Sequence, residues 1–123
     1  MMSATEIRTG NSAGLKRIER RRNPRYPFIA DVEIVDVESG MAMTGHTSDF
    51  SHGGCYVDMF SPMPKNTIVK VRLTKWQQTL ETQATVVYSS VGMGMGLMFS
   101  VLDPAQRGIV ESWLTQVCGA RVC

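Results

Sequence analysis

No apolar run in this chain approaches the roughly 20 residues that a membrane-spanning helix requires. Met1–Ser12 is polar and lacks the apolar stretch of an export signal. Membrane insertion is therefore not expected, and the chain reads as a soluble cytoplasmic protein. Cysteine is scarce: Cys55, Cys118 and Cys123 are odd in number and widely separated, which fits neither a disulfide framework nor a CxxC pair, and they read as reduced thiols. His52 and Cys55 stand in an HxxC arrangement, but zinc takes about four ligands and no second pair supplies the rest, so no metal is expected. Aromatic residues make up only 7% of the chain. The strand segments lack the interleaved basic and aromatic residues on which single-stranded nucleic acid stacks.

What is present suits one globular domain. The 123 residues, 43% of them hydrophobic and 20% charged, suffice to bury a single core without covalent staples. The net charge of +2 hides an asymmetry, because six of the 13 basic residues (Lys16, Arg17, Arg20, Arg21, Arg22 and Arg25) lie between Leu15 and Arg25, opposed there by Glu19 alone. A protein that holds long nucleic acid usually spreads positive charge over a face of its folded body. Here the charge is local.

Residues 1–14 are small and polar without apolar periodicity and read as a disordered tail. Residues 15–27 form an arginine-rich strap in which Pro24 and Pro27 oppose a continuous helix. Residues 28–119 carry the folded domain. From Phe28, apolar Phe28, Ala30, Val32 and Ile34 alternate with a mostly polar set, as in a half-buried strand. Ser39-Gly40 reads as a hairpin turn, and Met41–Phe50 as the returning strand. Further strands are expected over Cys55–Met59, Thr67–Leu73 and Leu80–Tyr88, the last with Leu80, Ala84, Val86 and Tyr88 on one face. Gly92–Gly96 lacks the spacing of a phosphate loop and reads as a tight connection into a last strand, Leu97–Phe99. Met93, Met95 and Met98 are expected to fill or flank the barrel. Asp103 as N-cap, Pro104 at the first helical position, and Ile109, Val110, Trp113, Leu114 and Val117 at helical spacing predict a terminal helix closed by Gly119. The sum is an all-β, six-stranded antiparallel barrel covered by a C-terminal α-helix.

Two segments stand out together. Arg21 and Arg25 form an RxxxR pair preceded by Arg20, and Asp49-Phe50-Ser51-His52-Gly53-Gly54 has the form DxSxxG; 23 residues, about one hairpin, separate Arg25 from Asp49. Neither motif is specific alone, since basic runs are usually solvated and DxSxxG is a common turn. Their joint occurrence, in this order and ahead of strands and a terminal helix, resembles the PilZ domain family over roughly Arg20–Val117. That family's signature is RxxxR followed by (D/N)xSxxG on a six-stranded split barrel with a C-terminal helix.

The resemblance implies a non-catalytic receptor for the second messenger cyclic di-GMP, with no other cofactor. Arginine suits a ligand with two phosphates and two guanines, because its planar fork donates paired hydrogen bonds to an anion or to the guanine O6/N7 edge and its face stacks on a base. Arg21 and Arg25 are then the principal ligands, and Arg20 reinforces the phosphate contacts. The resemblance gives Asp49 the guanine N1–H and N2–H groups to accept from, or an arginine to orient. Ser51 adds a hydroxyl donor, and Gly54 allows a special φ or close approach of the ligand. The bland alternative is that Asp49, Ser51 and Gly54 only build a turn. Tyr88 is a candidate for stacking on guanine, against the alternative that it is core.

Catalysis is not expected, because Asp49, Ser51 and His52 are adjacent on an extended chain and point in alternate directions, and His46 reads as a strand-surface residue. The rival readings are a protein-interaction barrel that binds no dinucleotide and a small nucleic-acid-binding barrel. The strap's clustered charge and few apolar anchors predict mobility without ligand and ordering with it, which presents a new surface to an unidentified protein effector. Arg20, just before RxxxR, is where differences in ligand stoichiometry are expected to originate.

Overall fold

The alternation of apolar and polar side chains becomes antiparallel strands in a computed structural model, which describes residues 24–118. The tail, the strap before Pro24 (with Arg20 and Arg21), Gly119 and Cys123 lie outside the described residues. The elements in chain order are β1 (Tyr26–Pro27), β2 (Asp31–Asp36), β3 (Ala42–Phe50), β4 (Gly54–Asp58), β5 (Ile68–Lys75), β6 (Gln78–Ser90), β7 (Gly94–Phe99) and α1 (Pro104–Cys118). The strands run β1-β3-β2-β5-β6-β7-β4, and β4 pairs back onto β3. Six strands thus close into the expected antiparallel barrel, and β1 is an extra strand on β3 beyond the start of β2. Closure leaves the six strands without a free edge.

One face of each strand fills the interior. Val32 and Ile34, Val69, Val71 and Leu73, Leu80, Ala84 and Val86, and Met95 and Leu97 are all buried. Each of these side chains other than Ala84 contributes about 1.5–3 kcal/mol through removal from water. An aromatic group seals one end: Phe28 lies 5.0 Å from Phe50 and 5.3 Å from Trp113, and Phe50 lies 5.9 Å from Phe99. Trp113 is delivered by α1, whose buried residues are Val110, Trp113, Leu114 and Cys118, and its indole N–H donates to Gln78 Oε1 at 3.1 Å. The helix begins where expected. The Gln106 backbone N–H donates to the Asp103 carboxylate at 2.8 Å, and Gln106 Oε1 accepts from the Asp103 N–H at 2.7 Å, a reciprocal cap with Pro104 at the first helical position.

Four sequence expectations need correction. The strand expected from Phe28 is interrupted: Phe28 and Ala30 do point inward, but regular pairing starts at Asp31. The gap is bridged by buried Thr47, whose hydroxyl donates to the Phe28 carbonyl at 2.6 Å and accepts from the Ala30 N–H at 2.9 Å. Gly94, Met95 and Gly96 are not part of a connection but belong to β7, because β4 and β6 pair with them from both sides and override glycine's poor strand propensity. Met95 is interior, whereas Met93 and Met98 are exposed. Cys55 is a buried free thiol, but Cys118 is disulfide-bonded, so the reading of reduced thiols holds for Cys55 and fails for Cys118. Finally, Tyr88 does not continue the inward face of β6; it is exposed.

Candidate functional site

Two irregularities in the sheet build the site. In β3, Thr47 pairs with Val57 and Asp49 with Tyr56, so Ser48 is an extra residue opposite β4. In β6, Val86 pairs with Leu97 and Tyr88 with Gly96, so Val87 is extra opposite β7. Each bulge switches the parity of its strand. Without them the inward sets would run Thr47, Asp49 and Val86, Tyr88, driving a carboxylate and a phenol into the core. With them Phe50 points inward, and Asp49 and Tyr88 turn to the outer face on either side of the β4–β7 pair.

The register then lines up one row across that outer face: Pro27, Asp49, Tyr56, Gly96 and Tyr88. The rings of Tyr56 and Tyr88 are 6.3 Å apart, tilted by 40°. Over the row lies an open cavity of about 560 Å³, lined by Arg25, Ser51, Gly54, Tyr56, Tyr88 and Gly96 among others. That volume lies within the usual range for small-molecule sites, about 300–1,000 Å³.

Arg25, two residues before Pro27, brings its Nη1 to 3.8 Å from Asp49 Oδ2. This is longer than the roughly 2.7–2.9 Å of a charge-assisted hydrogen bond, and the pair is partly exposed, so it contributes at most about 1 kcal/mol. The other oxygen, Asp49 Oδ1, is buried and has no hydrogen-bond partner among the described residues. Leaving such an acceptor unmade costs about 1–3 kcal/mol. Burial, then the neighbouring Tyr88, Asp58 and Asp49, raise the Tyr56 phenol above its ordinary value, while Arg25 opposes them. Tyr56 therefore presents a neutral hydroxyl beside the cavity at physiological pH.

The DxSxxG segment is a tight turn between β3 and β4. The Ser51 hydroxyl donates to the Gly54 carbonyl and accepts from the Gly53 N–H, both at 3.3 Å, and the Ser51 N–H donates to the Gly54 carbonyl at 2.8 Å. Ser51 is spent on its own turn and is only 8% exposed. His52 points away from it, its Nε2 3.0 Å from Glu111 Oε2 on α1, so serine and histidine form no nucleophile–base pair. Gly54 is required for a reason the sequence did not suggest. It has no positive φ; a Cβ there would lie 1.8 Å from the Leu97 carbonyl oxygen, so glycine admits the β7 backbone.

The structure thus brings Arg25, Asp49, Ser51, Gly54 and Tyr88 to one outer face, while Arg20 and Arg21 lie outside the described residues. Sequence reasoning missed Tyr56. The signal was there: it is two residues after Gly54 in a strand whose neighbours Cys55 and Val57 are apolar, and so it points outward. Among the described residues no group of three or more His, Cys, Asp or Glu side chains could hold a metal ion.

Comparison with known proteins follows the same lines. The family model of the PilZ domain matches residues 19–116. Among solved structures, the chain is similar to the PilZ domain of CeSA from a cellulose-synthesising bacterium, at 26% identity and a TM-score of 0.61, covering 78% of this chain and 96% of that one. It is also similar to the PilZ domain of YcgR from Escherichia coli solved with c-di-GMP, at 11% identity and a TM-score of 0.68, covering 80% and 92%. A third is the MrkH–c-di-GMP complex from K. pneumonia, at 16% identity and a TM-score of 0.65, covering 80% of this chain but 52% of that one. At those two lower identities the likeness is one of fold. No curated protein matches.

Proposed function

Because the chain belongs to the PilZ domain family, as the match over residues 19–116 establishes, we propose that it is a receptor for cyclic di-GMP that performs no catalysis and acts in the cytoplasm. The observation that carries this reading is the meeting of the two motif segments: Arg25 stands 3.8 Å from Asp49 and, with Ser51 and Gly54, lines the cavity on the outer face of β4 and β7. Support also comes from the similar YcgR and MrkH structures, which contain c-di-GMP. No helix among the described residues is long and apolar enough to cross a membrane.

In this reading Arg25 swings from its loose pairing with Asp49 to a phosphate or to the guanine O6/N7 edge, and Arg21 and Arg20 join it from the preceding strap. Asp49, relieved of the arginine and with one oxygen that has no partner among the described residues, accepts from guanine N1–H and N2–H. Ser51 and Gly54 hold the turn that forms the cavity rim, and Tyr88 offers its exposed ring to a base. Ligand binding neutralises the arginines and orders the strap over the barrel, and the surface so formed engages a partner protein.

Calorimetric titration of the full chain with cyclic di-GMP tests the reading. The expected result is micromolar or tighter binding, about 8 kcal/mol, abolished in an Arg21→Ala, Arg25→Ala double variant. Absence of binding by the parent would leave an interaction barrel without ligand. Steeply salt-dependent binding of a single-stranded oligonucleotide instead would indicate the nucleic-acid barrel.

A further inference from the structure

Three glycines, Gly54, Gly94 and Gly96, sit in the β4–β7 pair, and they are there for different reasons. A Cβ on Gly54 would meet the Leu97 carbonyl oxygen at 1.8 Å, and one on Gly94 would meet the Val57 carbonyl oxygen at 2.2 Å. Both are demanded by the approach of the two strands. At Gly96 the nearest atoms to an added Cβ are Tyr88 Cβ at 3.5 Å and Tyr56 Cδ1 at 3.9 Å, ordinary contact distances, and φ is not positive. The barrel would accept alanine there, and a strand interior normally disfavours glycine. Nothing in the fold requires this one.

Gly96 lies at the centre of the outer-face row, between Tyr56 on β4 and Tyr88 on β6, and it lines the cavity. Tyr88 is 56% exposed on one side of it. Asp49, whose Oδ1 has no partner among the described residues, is the next residue along the row beyond Tyr56. A glycine that the fold does not need, flanked by two aromatic rings and close to an unsatisfied acceptor, marks a place where a planar group approaches the backbone.

We infer that Gly96 is a clearance position for a ligand base and that Tyr56 is the second aromatic wall, opposite Tyr88, against which that base is seated. This rests on the cyclic di-GMP reading above and deepens it. Gly96 is buried beneath the two rings, which stand 6.3 Å apart, so the rings part to seat the base over the β7 backbone with its polar edge towards Asp49, and a side chain at position 96 occupies that space.

The test is calorimetric titration of the full chain with cyclic di-GMP, accompanied by thermal unfolding. Gly96→Ala is expected to melt at or above the parent temperature and to bind about tenfold or more weakly, with Gly96→Val weaker still. Tyr56→Leu is expected to lose about tenfold, as the removal of one stacking ring does, while Tyr56→Phe binds like the parent. A Gly96→Ala protein that binds as tightly as the parent overturns the clearance role. One that melts well below the parent overturns it too, because the glycine would then serve the fold. Unchanged binding by Tyr56→Leu removes the second wall. Failure of the parent to bind defeats the proposed function together with this inference, whereas parent binding with indifferent variants defeats the inference alone.

Discussion

Arg25 and Asp49, which stand 24 positions apart in sequence, lie 3.8 Å from each other, and the aspartate's other oxygen is buried with no partner among the described residues. A tight bidentate pair would lock both groups. This loose one leaves the guanidinium and the carboxylate available to a ligand that offers an anion to the first and N–H donors to the second. The relationship depends on the Ser48 bulge, which turns Asp49 out of the barrel, and on β1, which lays the strap's end along β3.

Asp49→Asn tests the acceptor. The amide keeps the shape but replaces one acceptor oxygen with a donor, which opposes the guanine N–H groups. Cyclic di-GMP binding by calorimetry is expected to weaken about tenfold or more, since one bidentate base contact is worth about 1–3 kcal/mol. The melting temperature is expected to hold or rise, because the buried atom that has no partner among the described residues then belongs to a neutral amide, which is cheaper to bury than a carboxylate.

Thr47→Val tests the bridge that carries the strap. The substitution keeps the volume but deletes the hydroxyl that serves the Phe28 carbonyl and the Ala30 N–H. Two buried backbone groups are left unpaired, at about 1–3 kcal/mol each. Urea unfolding is expected to show that loss, and amide exchange to show faster opening at Phe28 and Ala30 than in the parent.

Gly54→Ala tests the strand approach. A methyl group 1.8 Å from the Leu97 carbonyl oxygen forces β4 and β7 apart, with an expected loss of about 3 kcal/mol or more. Gly40→Ala, at a turn glycine with open space around it, is expected to cost less, through its positive φ alone. Urea unfolding of the two variants gives the comparison.

Burial, with a smaller contribution from the Asp49 carboxylate, pushes the Cys55 thiol up from 9.0 to about 12. The folded state therefore favours the protonated thiol. This contribution is complete below pH 9 and is lost as the pH rises towards 12. Cys55→Ala lacks it, so the stability gap between parent and variant is expected to narrow as the pH climbs through that window, read from urea unfolding at successive pH values. Parallel stability curves would contradict the assignment.

Much of the barrel was legible because period-two alternation is enforced by burial: Val32 and Ile34, or Val69, Val71 and Leu73, have only one way to face a core. The helix was legible through Asp103, Pro104 and the spacing of Val110, Trp113 and Leu114. The bulges were not, since a bulge is a mismatch between two strands and nothing in Thr47-Ser48-Asp49 or Val86-Val87-Tyr88 alone marks the extra residue. Tyr88, a stacking candidate whose alternative was a place in the core, is turned outward by the second of these bulges. Gly94–Gly96 read as a connection because glycine's local preference is weak, although Met95, Leu97 and Phe99 already alternated; pairing on both sides decided the matter. The candidate site was legible as motifs, and its geometry, including Tyr56, only through the register of β3, β4, β6 and β7.

The account's central claim is that a dinucleotide lies over the outer face of β4 and β7. An NMR titration of the isotopically labelled chain with cyclic di-GMP tests it most directly. Saturable shifts are expected to concentrate at Arg25, Asp49, Tyr56, Tyr88 and Gly96, with the polar outer face around Glu33, Thr44 and Arg72 unmoved. Shifts confined to that opposite face, or none at saturating ligand, would contradict it.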